Sequence, residues 1–128
     1  MSEVLKPTEV ELCEADALVE RGPAVPFDIV LWSQGARAFA LRFDGRPVAY
    51  VNRCAHVPVE MDWQPNQFLD DSGDWIICSI HGALYDPRDG HCVGGPCRGE
   101  GLIRVEVDER DGKVYWYPSG DIQPAFTD

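Results

Sequence analysis

Cys54-Ala55-His56 and, beyond residues 57–77, Cys78-Ser79-Ile80-His81 are the two stretches around which the chain reads. Each places one thiol and one imidazole within a single turn of backbone. Each then runs on into small or conformationally special residues, Val57-Pro58 and Gly82-Ala83. A thiolate is a soft anionic ligand and an imidazole a neutral borderline one, so a Cys2His2 set suits either one tetrahedral zinc or a two-iron centre. The order of the ligands separates the two. Zinc fingers usually pair the cysteines in one element and the histidines in another. Here each loop offers Cys and then His, so both sulfurs can meet one metal and both imidazoles a second. A zinc-stabilised interaction module is the lesser alternative.

C-x-H followed by C-x2-H, with sulfur on one iron and imidazole on the other, resembles the Rieske [2Fe–2S] family. The continuation carries the resemblance further. His81-Gly82-Ala83-Leu84-Tyr85-Asp86 is similar to the family's H-G-x-x-[YF]-D, and Gly94-Gly95-Pro96 to its third, proline-containing loop, which covers the cluster. The motif-bearing stretch runs roughly from Cys54 to Cys97, inside a cluster-binding part at about 52–98 of a single domain spanning 1–128.

The resemblance implies an all-β fold, an antiparallel β-sandwich or barrel-like base with a small cluster-binding subdomain of loops. It also implies one Rieske-type [2Fe–2S] cluster per chain. Cys54 and Cys78 would bind the buried iron and His56 and His81 the outer one, with Gly82, Ala83, Tyr85, Gly95 and Pro96 around them. High-potential members join the two ligand loops by a disulfide whose positions correspond to Val59 and Ile80, so that bridge cannot form here. A serine that bonds a bridging sulfide in those members corresponds to Ala83, whereas the tyrosine that bonds a cysteine sulfur matches Tyr85. Hydrogen bonds to the sulfurs raise the potential, so one donor lost and one kept point to the lower or middle part of a range of about −150 to +300 mV.

Charge explains the mixed ligands. Replacing two thiolates by neutral imidazoles brings the oxidised unit near zero charge, so an added electron is easier to accept than on an all-cysteine cluster at about −400 mV. The expected job is therefore one-electron transfer, from a reductase to an oxygenase or similar acceptor. Such a chain is an electron-transfer component of an oxidoreductase system rather than an enzyme by itself. The alternative within the family is the small Rieske subunit of a larger oxidoreductase, similar to its nitrite-reductase partners.

At 128 residues and 14.3 kDa, with 45% hydrophobic residues, the chain suits one globular domain. Met1 to Pro7 has no apolar signal region and no run reaches the length of a membrane span, so the expected setting is cytoplasmic, with no membrane partner. Twenty-two acidic residues against 11 basic ones give a net charge of −11, which disfavours nucleic acid because phosphate neutralisation supplies most of that affinity. An acidic surface suits encounter with a basic redox partner, and equally serves solubility. No Ser-His-Asp set, Gly-rich phosphate loop or nucleotide-binding fingerprint is present.

Five cysteines without a secretion signal favour metal over a disulfide framework. Cys13 reads as a small apolar side chain. Cys92 and Cys97 flank Val93-Gly94-Gly95-Pro96 beside the cluster loops and read as small buried thiols, with a disulfide or redox role as the alternative. His91 reads as a loop residue.

Short alternating segments between turn signals point to antiparallel strands. These are Val10 to Leu12, Phe27 to Trp32, Arg37 to Phe43 and Pro47 to Asn52, with a turn at Ser33-Gln34-Gly35 and a hairpin signal at Asp44-Gly45. Trp75 to Ile77 and Ala83 to Tyr85 flank the second ligand loop, and Asp89-Gly90 makes a turn before His91. Leu102 to Val107 should pair with Lys113 to Tyr117 across Asp111-Gly112. Ala15 to Arg21 reads as either a helical turn or a loop. Residues 57–77 read as an irregular excursion whose aromatics are mainly packing, with Trp63 or Phe68 as candidate docking residues. The order of Pro118 to Asp128 is left open.

Overall fold

The computed structural model describes residues 9–54, 60–62, 66–78, 82–95 and 99–125. Ten strands form within them: β1 (Val10–Glu14), β2 (Val25–Leu31), β3 (Gln34–Phe43), β4 (Arg46–Val51), β5 (Ile76–Ile77), β6 (Leu84–Tyr85), β7 (Cys92–Gly94), β8 (Arg104–Arg110), β9 (Lys113–Tyr117) and β10 (Ile122–Pro124). One 3-10 turn, Ala15–Ala17, comes after β1, so Ala15 to Arg21 is a helical turn over its first three residues and irregular over the rest. Seven strands make the base, in the order β1-β9-β8-β4-β3-β2-β10, and β5-β6-β7 make a small second sheet. All strand pairings are antiparallel. Phe27 of β2 lies 5.3 Å, centroid to centroid, from Trp116 of β9, although three strands separate them in the sheet. The base sheet therefore curls on itself, nearly closing a barrel.

The period of two along β3 and β4 decides where the small sheet sits. Ala38, Ala40, Ala49 and Val51 face a core shared with Ile29, Leu31, Val105, Val114 and Trp116, the interior of the barrel. Phe39, Leu41, Phe43 and Tyr50 face the opposite way, into a second core with Met61, Phe68, Ile76, Cys78, Tyr85 and Leu102. Small side chains fill the inward face of a tightly curved sheet, and large ones carry the subdomain on its outer face. Strands buried on both faces lose the apolar-polar alternation of a half-exposed strand, as Ala38-Phe39-Ala40-Leu41 does.

Two hairpins close as the Asp-Gly signals predict: Asp44-Gly45 joins β3 to β4 and Asp111-Gly112 joins β8 to β9, all four residues at positive φ. The first hairpin differs by a residue. Its turn is Trp32-Ser33, with φ of 51° and 68°, so Gln34 and Gly35 pair in β3 and Trp32 leaves the strand. Strand β8 also begins two residues later than expected. Leu102 and Ile103 are instead tied by their neighbours, Leu102 N–H donating to Gly90 O and Val51 N–H to Ile103 O. Within the chain's tail, Ile122–Pro124 forms β10 on the edge of β2. An edge is where a proline in a strand costs no ladder bond.

Candidate metal centre

β4 ends at Val51, and Asn52 and Arg53 carry the chain directly to Cys54. Asn52 anchors the segment on the far side of that cysteine. Its Oδ1 accepts the Met61 N–H at 2.8 Å, and its Nδ2 donates to Asp62 Oδ1 at 3.1 Å. Asp62 Oδ2 in turn accepts the Asn66 N–H. The stretch after the first cysteine is thus pinned to the end of β4 at one polar knot, and Met61 beneath it is fully buried. Nothing in the spacing of Asn52 and Asp62 announces that role.

The second cysteine is presented by a hairpin. Ile76 pairs with Tyr85 and Ile77 with Leu84. Between them Cys78 N–H donates to Ala83 O and Gly82 N–H donates to Cys78 O, each at 2.8 Å. Ile77 N–H donates outward to Phe68 O, which fastens the hairpin to the excursion. Phe68, a candidate docking residue, is buried instead, its ring stacked 3.7 Å from that of Phe39. Burial corrects that expectation in favour of packing. Trp63, the other candidate, lies outside the described residues.

Cys54 is 2% and Cys78 0% exposed, and both belong to the core between β3-β4 and the small sheet. Two thiols brought into one apolar core on separate loops suit a soft metal centre shielded from solvent. Tyr85 Oη lies 3.4 Å from Cys54 Sγ. Toward a thiolate ligand only the phenol can donate. Ala83 is fully buried at the turn below and brings no side-chain donor. His56 and His81 lie outside the described residues, as do Val59, Ile80, Pro96 and Cys97. Among the described residues no cluster of three or more ligating groups forms, and of the four expected ligands only Cys54 and Cys78 lie within them.

The third loop closes on the second. Gly94 pairs with Leu84 and Cys92 with Tyr85. Gly95 has φ of +83°, and a Cβ there would lie 2.8 Å from Gly82 O and 2.9 Å from Ala83 Cα. Backbone therefore rests on backbone at this point, and only glycine fits. Upstream, Asp86 N–H donates to His91 O, Gly90 N–H to Asp86 O, and Tyr50 Oη to Pro87 O at 2.6 Å. Burial pushes the Tyr50 phenol well above its usual range, so it stays a donor. His91 is exposed and bridges Gly101 through its backbone, as a loop residue should.

Cys92 departs from the reading of small thiols, for it is disulfide-bonded. Cys13 is free and half-buried against the barrel core, and burial raises its thiol pKa, consistent with an inert apolar side chain. A cleft of about 310 Å³ reaches Cys54, lined also by Trp32, Arg53, Glu100, Gly101 and Ile103. Trp32 is 55% exposed, and its ring lies 5.3 Å from the Arg53 guanidinium. The exposed aromatic beside the centre is thus supplied by a turn of the base.

Fold and site define a class: an all-β protein whose two cysteines, one after a strand of the base and one in a small second sheet, meet in the core between the two sheets. The model of the Rieske [2Fe-2S] domain matches residues 3–120, and the chain belongs to that family. Among solved structures it is similar to the ferredoxin of carbazole 1,9a-dioxygenase from Nocardioides aromaticivorans IC177, at 20% identity and a TM-score of 0.65, covering 88% of this chain and 100% of that one. It is also similar to the terminal oxygenase of the same enzyme from that organism, at 22% identity and a TM-score of 0.70, covering 94% of this chain but 32% of the other. A third likeness is to the reduced complex between oxygenase and ferredoxin in carbazole 1,9a-dioxygenase, at 18% identity and a TM-score of 0.69, over 88% of this chain and 28% of that chain. At these identities the likeness concerns the fold. No curated protein matches the sequence. No helix among the described residues is long and apolar enough to cross a membrane.

Proposed function

We propose that the chain, as a single domain, is a one-electron carrier that takes electrons from a reductase and passes them to an oxygenase or similar acceptor. One Rieske [2Fe–2S] cluster would be held by Cys54 and Cys78 on one iron and His56 and His81 on the other. The observation that carries this reading is the pair of buried cysteines on two separately braced loops, with the Tyr85 hydroxyl beside one of the sulfurs. When bound, the cluster supplies a reversible one-electron couple. The protein's part is to keep the sulfurs dry, to donate one hydrogen bond from Tyr85 and to hold both loops still between redox states. The likeness to a ferredoxin, and to a complex of oxygenase and ferredoxin, supports a carrier. We place it in the cytoplasm.

The test is the metal content and spectrum of natively purified protein. Two irons and two acid-labile sulfides per chain, with nitrogen coupling in the EPR of the reduced state, are expected. Cys54→Ser or Cys78→Ser should lose the cluster, while Cys13→Ser keeps full occupancy. Stoichiometric zinc without sulfide would overturn the reading. Copurification in a lasting complex with a large catalytic chain would turn it toward the subunit alternative.

A further inference from the structure

A cleft of about 400 Å³ lies where the β3-β4 hairpin, the first residue of β8 and the turn at 87–89 come together. Arg46, Arg88 and Arg104 line it against a single carboxylate among the described residues, Asp44. We propose that this cleft is a binding site for a small multivalent oxyanion, a phosphorylated or polycarboxylate metabolite, held by the three guanidinium groups. The site goes beyond the electron-carrier reading and does not rest on it.

Charge is the first argument. The chain has 22 acidic residues against 11 basic ones, yet three of its nine arginines share one cleft. Asp44 is offset from outside, its Oδ1 accepting from Arg21 Nη2 at 3.0 Å. Arg88 directs Nε to Asp86 at 3.2 Å and Arg104 directs Nε to Glu106 at 3.6 Å, and neither of those acids lines the cleft. Both side chains are thereby steered while their terminal Nη groups stay open to a ligand. Arg88 Nη1 stands 4.0 Å from Asp44 Oδ2, beyond hydrogen-bond reach. Arg46 enters no ion pair among the described residues. Carboxylates and phosphates match the guanidinium fork, which donates two parallel hydrogen bonds to a pair of oxygens.

The walls are the second argument. Phe43, Pro47 and Val48 complete the lining, and Val48 packs on the core beneath. The Arg88 guanidinium lies 5.7 Å from the Phe43 ring. Apolar walls lower the local dielectric, which strengthens attraction between the arginines and an anion set among them. The volume suits a small metabolite rather than a protein segment.

Position gives binding a consequence. Arg46 opens β4 and Arg104 opens β8, whereas Arg88 sits on the turn whose Pro87 O accepts the Tyr50 hydroxyl and whose far end closes by Gly90 N–H on Asp86 O. An anion shared by all three ties that turn to the base. Opening of the turn should then slow, because a ligand that binds only the closed form stabilises it.

Isothermal titration calorimetry of the natively purified protein tests the site with inorganic phosphate in one arm and tricarballylate in the other, at constant ionic strength and mildly alkaline pH. Saturable binding at one site per chain is expected in at least one arm, with no saturation by acetate, and the tighter arm names the ligand as phosphoryl or polycarboxylate. Arg46→Ala and Arg104→Ala should each weaken binding about three- to tenfold, the worth of a charge-assisted hydrogen bond at an exposed site. Arg37→Ala removes a cation outside the cleft and should leave it unchanged. Asp44→Asn should tighten binding about two- to fivefold, a gain that a damaged fold would not produce. Hydrogen exchange followed by mass spectrometry should slow across residues 86–91 at saturating anion. Heat that never saturates in either arm would overturn the proposal, as would acetate binding equally well or affinity indifferent to Arg46→Ala and Arg104→Ala together. Exchange at 86–91 that ignores the anion would overturn the tie to the turn.

Discussion

Tyr85 belongs to the core and carries its hydroxyl to Cys54 Sγ, one of the proposed ligands. Its cross-strand partners are Ile76 and Cys92, so the phenol is aimed by a strand on either side rather than by its rotamer alone. A hydrogen bond to sulfur favours the reduced, more negative cluster. Tyr85→Phe keeps the ring and removes the donor. The expected outcome is full iron occupancy with a midpoint potential lowered by roughly 20–60 mV, the equivalent of one net hydrogen bond. Protein-film voltammetry checks it, and an unchanged potential would show that the 3.4 Å contact carries no donor bond in the loaded protein. Ala83, buried and without a hydroxyl, offers no second bond to compensate.

At the scale of elements, the hairpin between β3 and β4 is braced from outside. Glu20 accepts the backbone N–H groups of Gly45 and Asp44 at 2.8 and 2.7 Å, which together satisfy the turn. Arg21 pairs with Asp44 and Asp74 and lies 4.3 Å over the Phe43 ring, tying the turn to the chain that enters β5. The Gly45 N–H above all, with the Asp44 N–H and Arg21, lowers the Glu20 carboxyl below its usual pKa, against an opposing effect of desolvation second only to that of Gly45. A carboxyl lowered on folding adds stability above its unfolded pKa of about 4.3 and loses it as pH falls through the folded value. Glu20→Gln should therefore cost at most about 1 kcal/mol at neutral pH, since the group is solvated. The gap between variant and parent should close below about pH 4. Urea unfolding at several pH values measures this, and a gap that widens in acid would reverse the assigned sign.

Across the whole molecule, two cores share the β3-β4 wall, and the ring of Phe39 stands on the subdomain side against Phe68 and Tyr50. That wall is how the barrel holds the cysteine loops. Phe39→Ala opens a cavity behind Phe68, whose carbonyl accepts the Ile77 N–H just before Cys78. The cost is about 3–5 kcal/mol, a large share of a small domain's stability of about 5–15 kcal/mol. Cluster loss should accelerate at temperatures where circular dichroism still reports a folded barrel. Simultaneous loss of both signals would mean that the two cores melt as one. The net charge of −11 acts at the same scale. Raising salt through the Debye range should slow association with a redox partner more than it speeds dissociation, and stopped-flow rates indifferent to salt would leave the acidic surface to solubility alone.

Local chemistry made much of this legible in the chain itself. Ligand types and spacing belong to single loops, and Asp44-Gly45 and Asp111-Gly112 encode their turns because both positions need positive φ. Features that depend on contact between distant segments were not legible. Trp32-Ser33 is a turn that its residue types do not advertise, closed by register with β3 and by the Trp32 N–H on Asp121 O. β7 and β10 are three-residue strands, too short for a period, and exist because β6 and β2 present free edges to them. Asn52 and Asp62 meet only once the chain after Cys54 has turned back on β4. The bonded state of Cys92 likewise depends on where the third loop folds. Sequence by itself determined which atoms could meet a metal and where the tightest hairpins turn. Tertiary structure decided which face of β3 and β4 carries the centre, because alternation names two faces and only the packing of Phe39 and Tyr50 against the small sheet chooses between them.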